Sequence, residues 1–430
     1  MTLEFRSDIL DLLRITERMR IMRFEPGEMP IRRKSSSQSL ILQMIYHWGP
    51  IKRPDIAQML DLTRPTITTA VKAMIEQGIV REISDPGEQT AALGRRAYPV
   101  EIVPDSRYFL GLELRKDCRA ACITDYLGRI LCREADGEAC QDYEGSIQSA
   151  CRLIRSLLKH SGLGWEQLRG IGLCVPGLVD REQGILQTHP AYHWSGKPIR
   201  RDLMEALPYE RPVAVVNNVC ARAMAVQMFR REPLKGQSFA YLFVSTGIAC
   251  PLMLNDFSLR DSVVGIGEVG HTVMDPAGAG ESGSLEAFSS DQAVIARCRE
   301  AMEAGEAPVL AQLCAGKPVT MERILEAQTR GDRAVDRILQ KAVHILGLAV
   351  TNVCNFACPG TMFLEGHLFA HPENRKLLQE VVDRNLYSAA YAHTELVFRE
   401  PDLYGGAVGA AAAAVSADLE GYGGPGSRSL

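Results

Sequence analysis

The sequence has no CxxC pair among its twelve cysteines, no apolar run approaching the ~20 residues that span a bilayer, and no basic-then-apolar segment at its N-terminus. The closest cysteine spacings are Cys118 to Cys122 and Cys354 to Cys358. Without a secretory signal these thiols are expected to be free and buried, not paired. The other two absences argue against an exported or membrane-spanning protein and predict a cytoplasmic one. The Ala-rich run Gly406–Val415 is too short to cross a membrane and reads as a buried helix. A strong charge bias is missing as well. The net charge is −4, yet Ile31 to Val100 holds ten Lys and Arg against six Asp and Glu, a surplus of four that leaves −8 for the remainder. A mildly basic module joined to an acidic body suits phosphate contact at one end only.

What is present centres on IKRPDIAQMLDLTRPTITTAVKAMIEQGIVREI, from Ile51 to Ile83. It reads as a helix with Ile56, Met59 and Leu60 inward, a turn at Asp61-Leu62-Thr63, a second helix, and the first strand of a wing. Thr63 is placed to cap the second helix, with Pro65 in its first turn, where a missing N–H costs little. Ile67, Ala70, Val71, Met74 and Ile75 recur at helical spacing and face inward, which leaves Arg64, Thr66, Thr68, Thr69 and Lys72 outward. Small hydroxyls and cations at the exposed N-terminal end of a helix suit base edges and phosphates in a DNA major groove. After Gly78 the strand Ile79–Ile83, the turn Asp85-Pro86-Gly87, the pair Arg95-Arg96 and the strand Tyr98–Val103 complete a winged helix. Arg95 and Arg96 at the wing tip suit minor-groove insertion. Ser37–His47, with Leu40, Ile41, Met44 and Ile45 inward, is its first helix.

Residues 1–36 read as an arm and linker, and the sequence leaves open whether the arm packs on a partner or follows the DNA backbone. The DNA-binding unit is assigned to 37–104. From Tyr108 the texture turns to α/β. Strands are expected at Phe109–Leu114, Ala120–Thr124 and Arg129–Arg133, a helix at Ser146–Lys159, and a strand at Leu168–Val175. A similar meander opens at Phe239–Ser245 and Ile248–Asn255, so two α/β lobes facing a cleft are expected. A long helix over Asp332–Asn355, a strand and turn at Thr361–Gly366, a strand at Leu396–Arg399, and the Ala-rich helix follow. The Gly/Ser-rich end, 421–430, reads as a flexible tail.

Five segments in register carry a family resemblance: GRRAYPVEIVPDSRYFLGLEL, GIGLCVPGLVD, VAVVNNVCARAMA, GEVGHTVMDP and LYGGAVGAAAAA. Together they resemble the ROK family of repressors, open reading frames and sugar kinases. The resemblance implies an α/β chain, an N-terminal winged helix-turn-helix followed by a bilobal, actin-like (ribonuclease-H-type) ROK domain, here 105–420.

The departures from the family pattern are informative. Where the kinases carry a glycine-rich first phosphate loop, this chain has Glu113-Leu114-Arg115-Lys116-Asp117. Without glycine, backbone N–H groups cannot close on a nucleotide. The second loop reads Thr246-Gly247-Ile248-Ala249-Cys250-Pro251, and the adenosine-side turn Leu364-Glu365-Gly366-His367. Asn218 replaces the family's Asp base within Val216-Asn217-Asn218-Val219-Cys220, and an amide cannot act as a general base. No catalytic residue is therefore assigned, and no cofactor. By resemblance the sugar-binding residues are Asn217, Asn218, Glu268, His271 and Glu286. Many relatives hold zinc through cysteines that fall here on Ala277, Ala279 and Ser284. His271 alone cannot hold a structural zinc, so no metal is expected and the position of Glu286 loses its support.

These readings predict a sugar-responsive transcriptional regulator, a repressor, acting as a homodimer or higher homo-oligomer on operator DNA, with a sugar or sugar derivative as effector. Two other readings stay open: an active ATP-dependent sugar kinase with a DNA-binding appendage, and a constitutive DNA-binding protein with a vestigial sugar cleft.

Overall fold

The computed structural model describes residues 36–83, 98–115, 118–137, 142–189, 194–211, 213–230, 238–254, 267–275, 280–387 and 394–423. The arm over 1–35, the wing tip with Arg95 and Arg96, the turn Lys116-Asp117, and Ala277 and Ala279 lie outside the described residues.

Ser36 caps α1 (Ser37–Trp48), its hydroxyl accepting the Ser39 N–H at 3.1 Å. Then come β1 (Ile51–Lys52), α2 (Arg53–Leu60), α3 (Arg64–Glu76), β2 (Val80–Glu82) and β3 (Pro99–Ile102). β3 is the central strand, antiparallel to β1 and to β2. Thr63 caps α3 as its sequence position requires, accepting from the Thr66 N–H. Ile67, Ala70, Val71 and Met74 are buried and Ile75 is half-buried.

The inward set expected for α1 was too one-sided. Ile41 and Ile45 are buried, but so are Leu42 and Tyr46, while Leu40 and Met44 are only partly covered. The helix has two dry faces because it packs on the body as well as on its own domain. The Ser39 hydroxyl donates to the Leu419 carbonyl at 2.7 Å, and the Tyr46 hydroxyl to that of Met228 at 3.3 Å.

In the body, β4 (Tyr108–Leu114), β5 (Arg119–Asp125) and β6 (Ile130–Asp136) form an antiparallel meander. α4 (Tyr143–Ser161) leads to β7 (Leu168–Val175), which lies parallel to β4. A small sheet of β8 (Leu178–Asp180), β9 (Ile185–Thr188) and β10 (Ser195–Lys197) follows, then α5 (Ile199–Ala206) and β11 (Val213–Asn217). The first sheet runs β11-β7-β4-β5-β6. β7 is apolar along nearly its whole length, as befits a strand covered on both faces.

α6 (Asn218–Phe229) passes to the second lobe, which opens on β12 (Ser238–Val244), β13 (Ile248–Ala249) and β14 (Leu252–Leu254). Helices α7 (Leu285–Ser289), α8 (Asp291–Glu303), α9 (Pro308–Cys314), α10 (Met321–Thr329) and α11 (Arg333–Ala357) precede β15 (Thr361–Gly366). α12 (Pro372–Asn385), β16 (Glu395–Arg399) and α13 (Gly405–Gly421) close the chain. β12, β15 and β16 are parallel neighbours, with β13 and β14 antiparallel on β12. Among the described residues no helix is long and apolar enough to cross a membrane.

α13 joins every part. Its alanines lie so close to the first sheet that a Cβ on Gly111 or Gly172 would come within 1.8 Å of the Ala407 or Ala410 carbonyl oxygen. Ile41 and Val71 of the N-terminal unit, Val226 of α6, Ala411 of α13 and Phe363 of the second sheet belong to one continuous apolar core. Of the flexible tail expected over 421–430, residues 421–423 are described and the rest lies outside the described residues. Gly421 ends α13, and Tyr422 is 6 % exposed because its ring packs under the Arg107 guanidinium and its hydroxyl reaches Gln77. Gly and Ser composition masked that single anchoring aromatic.

Candidate functional site

Two surfaces carry the assigned residues. On α3, Arg64, Thr66, Thr68, Thr69 and Lys72 are all exposed, so the helix presents one polar face to solvent. Thr68 donates to the Arg64 carbonyl at 2.9 Å and Thr66 pairs with Thr63 at 2.8 Å. Lys72 stands 3.8 Å from Glu76, a contact between exposed groups that costs little to exchange for a phosphate.

The second surface lies between the lobes. Asn217 ends β11 and caps α6, its Oδ1 accepting the Val219 and Cys220 N–H groups at 2.8 and 3.2 Å. Its Nδ2 donates to the Gly177 carbonyl at 2.8 Å, pinning the Pro176-Gly177 loop. The Asn217 amide is thus spent chiefly on positioning backbone. Asn218, one residue on, is 8 % exposed and is the first residue of α6.

Glu268 precedes the short turn Val269–His271 and is half-buried. Burial raises its carboxyl pKa, nearby His271 opposes the rise, and Glu286 adds to it. Glu268, His271 and Glu286 are therefore close enough to feel one another's charge. Glu268 also acts on the Cys220 thiol, which burial keeps protonated although Arg181 pulls the other way. Glu268 is therefore within electrostatic reach of the first turn of α6. Arg181 and Cys220 are neighbours of this group to which the sequence assigned no role.

Glu286 does not depend on a metal for its place. Its Oε1 accepts the Ile248 N–H at 2.8 Å, and α7 is fixed at its start by the bond from Leu285 N–H to the Thr272 carbonyl at 2.9 Å. The donors present do not fit a structural zinc. Ser284 uses its hydroxyl to cap α7 at the Ala287 N–H, and no group of three or more His, Cys, Asp or Glu side chains suited to a metal occurs among the described residues.

The three segments where kinases seat a nucleotide are stitched to one another. Glu113 on β4 and Glu365 on β15 come from different sheets, and the Arg222 guanidinium of α6 bridges them at 3.3 and 3.1 Å. All three side chains are at most 4 % exposed. Arg222 also donates to the Asp402 carbonyl at 3.3 Å and lies 4.4 Å from the centre of the Phe243 ring. Burial alone would lower the guanidinium pKa, but Glu113 and Glu365 outweigh it and the pKa is raised. Tyr241 donates its hydroxyl to the second Glu365 oxygen. Glycines 405 and 406 are required here, because a Cβ on Gly406 would stand 2.2 Å from the Glu113 carboxyl carbon and one on Gly405 2.0 Å from Arg222 Nη1. Asp291 links the residue just before the second segment to the third, donating its N–H to the Ser245 carbonyl and pairing with His367 Nδ1, both at 2.8 Å.

Comparison with known proteins gives a consistent picture. Residues 109–417 match the ROK family and residues 34–89 the MarR family. The xylose repressor of Caldicellulosiruptor bescii is 24% identical over 374 residues, covering 84% of this chain and 91% of that protein. A ROK family transcriptional regulator, described as a homolog of the E. coli MLC protein, superimposes with a TM-score of 0.71 at 22% identity, covering 89% of this chain and 96% of its own. A ROK family glucokinase from Streptomyces griseus, solved with glucose and AMPPNP, gives 0.63 at 20% identity over 72% of this chain and 99% of its own. At such identities the two structural likenesses speak to the fold alone.

Proposed function

The chain belongs to the ROK family, and we propose that it is a sugar-responsive transcriptional repressor whose body binds a sugar without phosphorylating it. The reading head is α3 with its wing, in a domain that matches the MarR family. Two copies, each presenting Arg64, Thr66, Thr68, Thr69 and Lys72, would read a palindromic operator with half-sites at integral helical spacing. Arg95 and Arg96 would add minor-groove contacts.

The observation that carries the non-kinase reading is the Glu113–Arg222–Glu365 bridge. A kinase needs a glycine-lined opening for phosphates and a carboxylate to take the proton of the attacking hydroxyl. Here two buried carboxylates already bracket one arginine where the segments converge, and position 218 offers an amide. Asn218 can still donate to and accept from a hydroxyl. Glu268, His271 and Glu286 supply the charge-assisted partners that vicinal hydroxyls need.

Effector closure of the cleft would reach the head through α13. The helix is about 25 Å long at ~1.5 Å per residue. Its first turn abuts Glu113 and Arg222, and the residues at its end hold α1 and α3.

Calorimetry across a panel of hexoses and pentoses, paired with a phosphotransfer assay, tests this reading. At least one sugar binds, its affinity is indifferent to ATP, and no phosphorylation is seen. Asn218→Asp restores none, because the nucleotide seat remains closed. ATP-dependent phosphorylation by the unaltered protein would end the proposal.

A further inference from the structure

α7 is a thin partition. Glu286 faces the cleft side, holding the Ile248 N–H at 2.8 Å. Phe288, two residues on, forms a wall of an open cavity of about 190 Å³ between α7, α8 and α11 of the second lobe. Ala301 of α8 and Ile338 of α11 supply apolar lining, while Arg297, Arg337 and Lys341 surround it with positive charge. Glu306 is the one carboxylate among its lining residues.

The three cations do different work. Arg297 is fixed, donating to the Ala287 carbonyl at 2.6 Å and the Phe288 carbonyl at 3.1 Å while its guanidinium lies 5.5 Å from the Phe288 ring centre. Arg337 and Lys341 are four residues apart on α11, hence on one face. Both are exposed and neither forms an ion pair among the described residues. The Lys341 ammonium is 5.7 Å from the Phe288 ring centre, so the aromatic wall and the free charge address the same space.

We propose that this cavity is a second small-molecule site, one that takes a carboxylate carried on a single six-membered ring. An apolar cavity of roughly 150 Å³ accommodates benzene. The slightly larger space here holds a ring against Phe288 and Ile338 with its carboxylate toward Arg337 and Lys341. Inorganic phosphate would leave the apolar wall wet, and a neutral ring would leave the cations unanswered. Occupancy is felt in the cleft, because the Ser289 hydroxyl anchors α7 to the Ala342 carbonyl at 2.8 Å and Ala342 itself lines the cavity. A ligand that bridges α7 and α11 therefore steadies Glu286 against Ile248.

The test uses the full-length protein with benzoate as probe, followed by calorimetry and by hydrogen exchange at the Ile248 amide. Benzoate binds with a Kd of about 1 mM, an ordinary efficiency for nine heavy atoms. Benzamide and inorganic phosphate bind at least about tenfold more weakly. Phe288→Ala weakens benzoate by about tenfold, and the surface double variant R337E/K341E abolishes binding. Bound benzoate slows Ile248 exchange several-fold in the unaltered protein and not in the double variant. Absence of benzoate binding, equal binding of benzamide, or full binding by the double variant overturns the site. Unmoved Ile248 exchange under saturating benzoate overturns its link to the cleft. Neither readout involves sugar or DNA, so the result stands apart from the repressor reading.

Discussion

The hydroxyl of Tyr422 donates to the side-chain oxygen of Gln77 across 2.9 Å, joining the residue just past α13 to the one that closes α3. The end of α13 is thereby bonded to the end of the helix that would enter DNA. Around this contact Asp418 collects Arg107, Arg169 at 2.6 Å and the Tyr126 hydroxyl at 2.9 Å. This polar, partly buried set lies beside the apolar core that head and body share.

Tyr422→Phe removes that single bond and keeps the ring. A net hydrogen bond is worth ~0.5–1.5 kcal/mol, so the sugar-induced change in operator affinity shrinks by roughly two- to tenfold. Sugar affinity, measured by calorimetry without DNA, stays as it was. A variant with an undiminished operator response would show that α13 does not carry the signal through this end.

Arg222→Met strands two buried carboxylates. Removing one member of a buried ionic set costs ~3–5 kcal/mol, because the remaining charge is left uncompensated. The urea midpoint falls accordingly. Adding Glu113→Gln and Glu365→Gln recovers most of the loss, since the harm lies in the unpaired charges. A neutral single variant would mean that the bridge contributes nothing to holding the lobes.

Much of this was legible in the chain itself. The strand Leu168–Val175 was read to the residue, because a buried parallel strand is a continuous apolar run bounded by polar turns, whereas the strand and turn expected over Thr361–Gly366 is strand throughout. Thr63 and Pro65 announced the start of α3 through capping chemistry. The Glu113–Arg222–Glu365 bridge was not legible. Its members are 109 and 143 residues apart, and in the segment CARAMA an arginine reads as an ordinary helical one. Asn217 was assigned to sugar, and most of its polar capacity turned out to serve the cap of α6 and the Gly177 loop. The second dry face of α1 was hidden too, since a helix packed on two sides departs from a single apolar stripe.

His367 makes stability depend on pH. Its bond to Asp291 raises the imidazole pKa above the ordinary value near 6.5, against the opposing pull of burial. A group whose folded pKa is raised gives its full stabilisation below the unfolded pKa and loses it as pH rises through the folded one. Thermal stability should therefore decline from pH 6 towards mildly alkaline pH. His367→Gln should flatten the curve by lowering its acidic side, as followed by melting temperature across that range.

Lys72 stands on the exposed face of α3, 3.8 Å from Glu76. As a phosphate contact it releases about one counterion, so Lys72→Ala reduces the slope of log affinity against log salt by about 0.9 and weakens all sequences alike. Thr69→Ala instead alters base preference, read by comparing operator point variants. Salt slopes identical in variant and parent would remove Lys72 from the DNA face.

The most direct measurement is a titration of labelled operator with the full-length protein, repeated in the presence of each sugar that binds by calorimetry. At least one sugar is expected to change operator affinity by roughly 5- to 150-fold, the range of a coupling of ~1–3 kcal/mol. Tight operator binding that no bound sugar alters would contradict it.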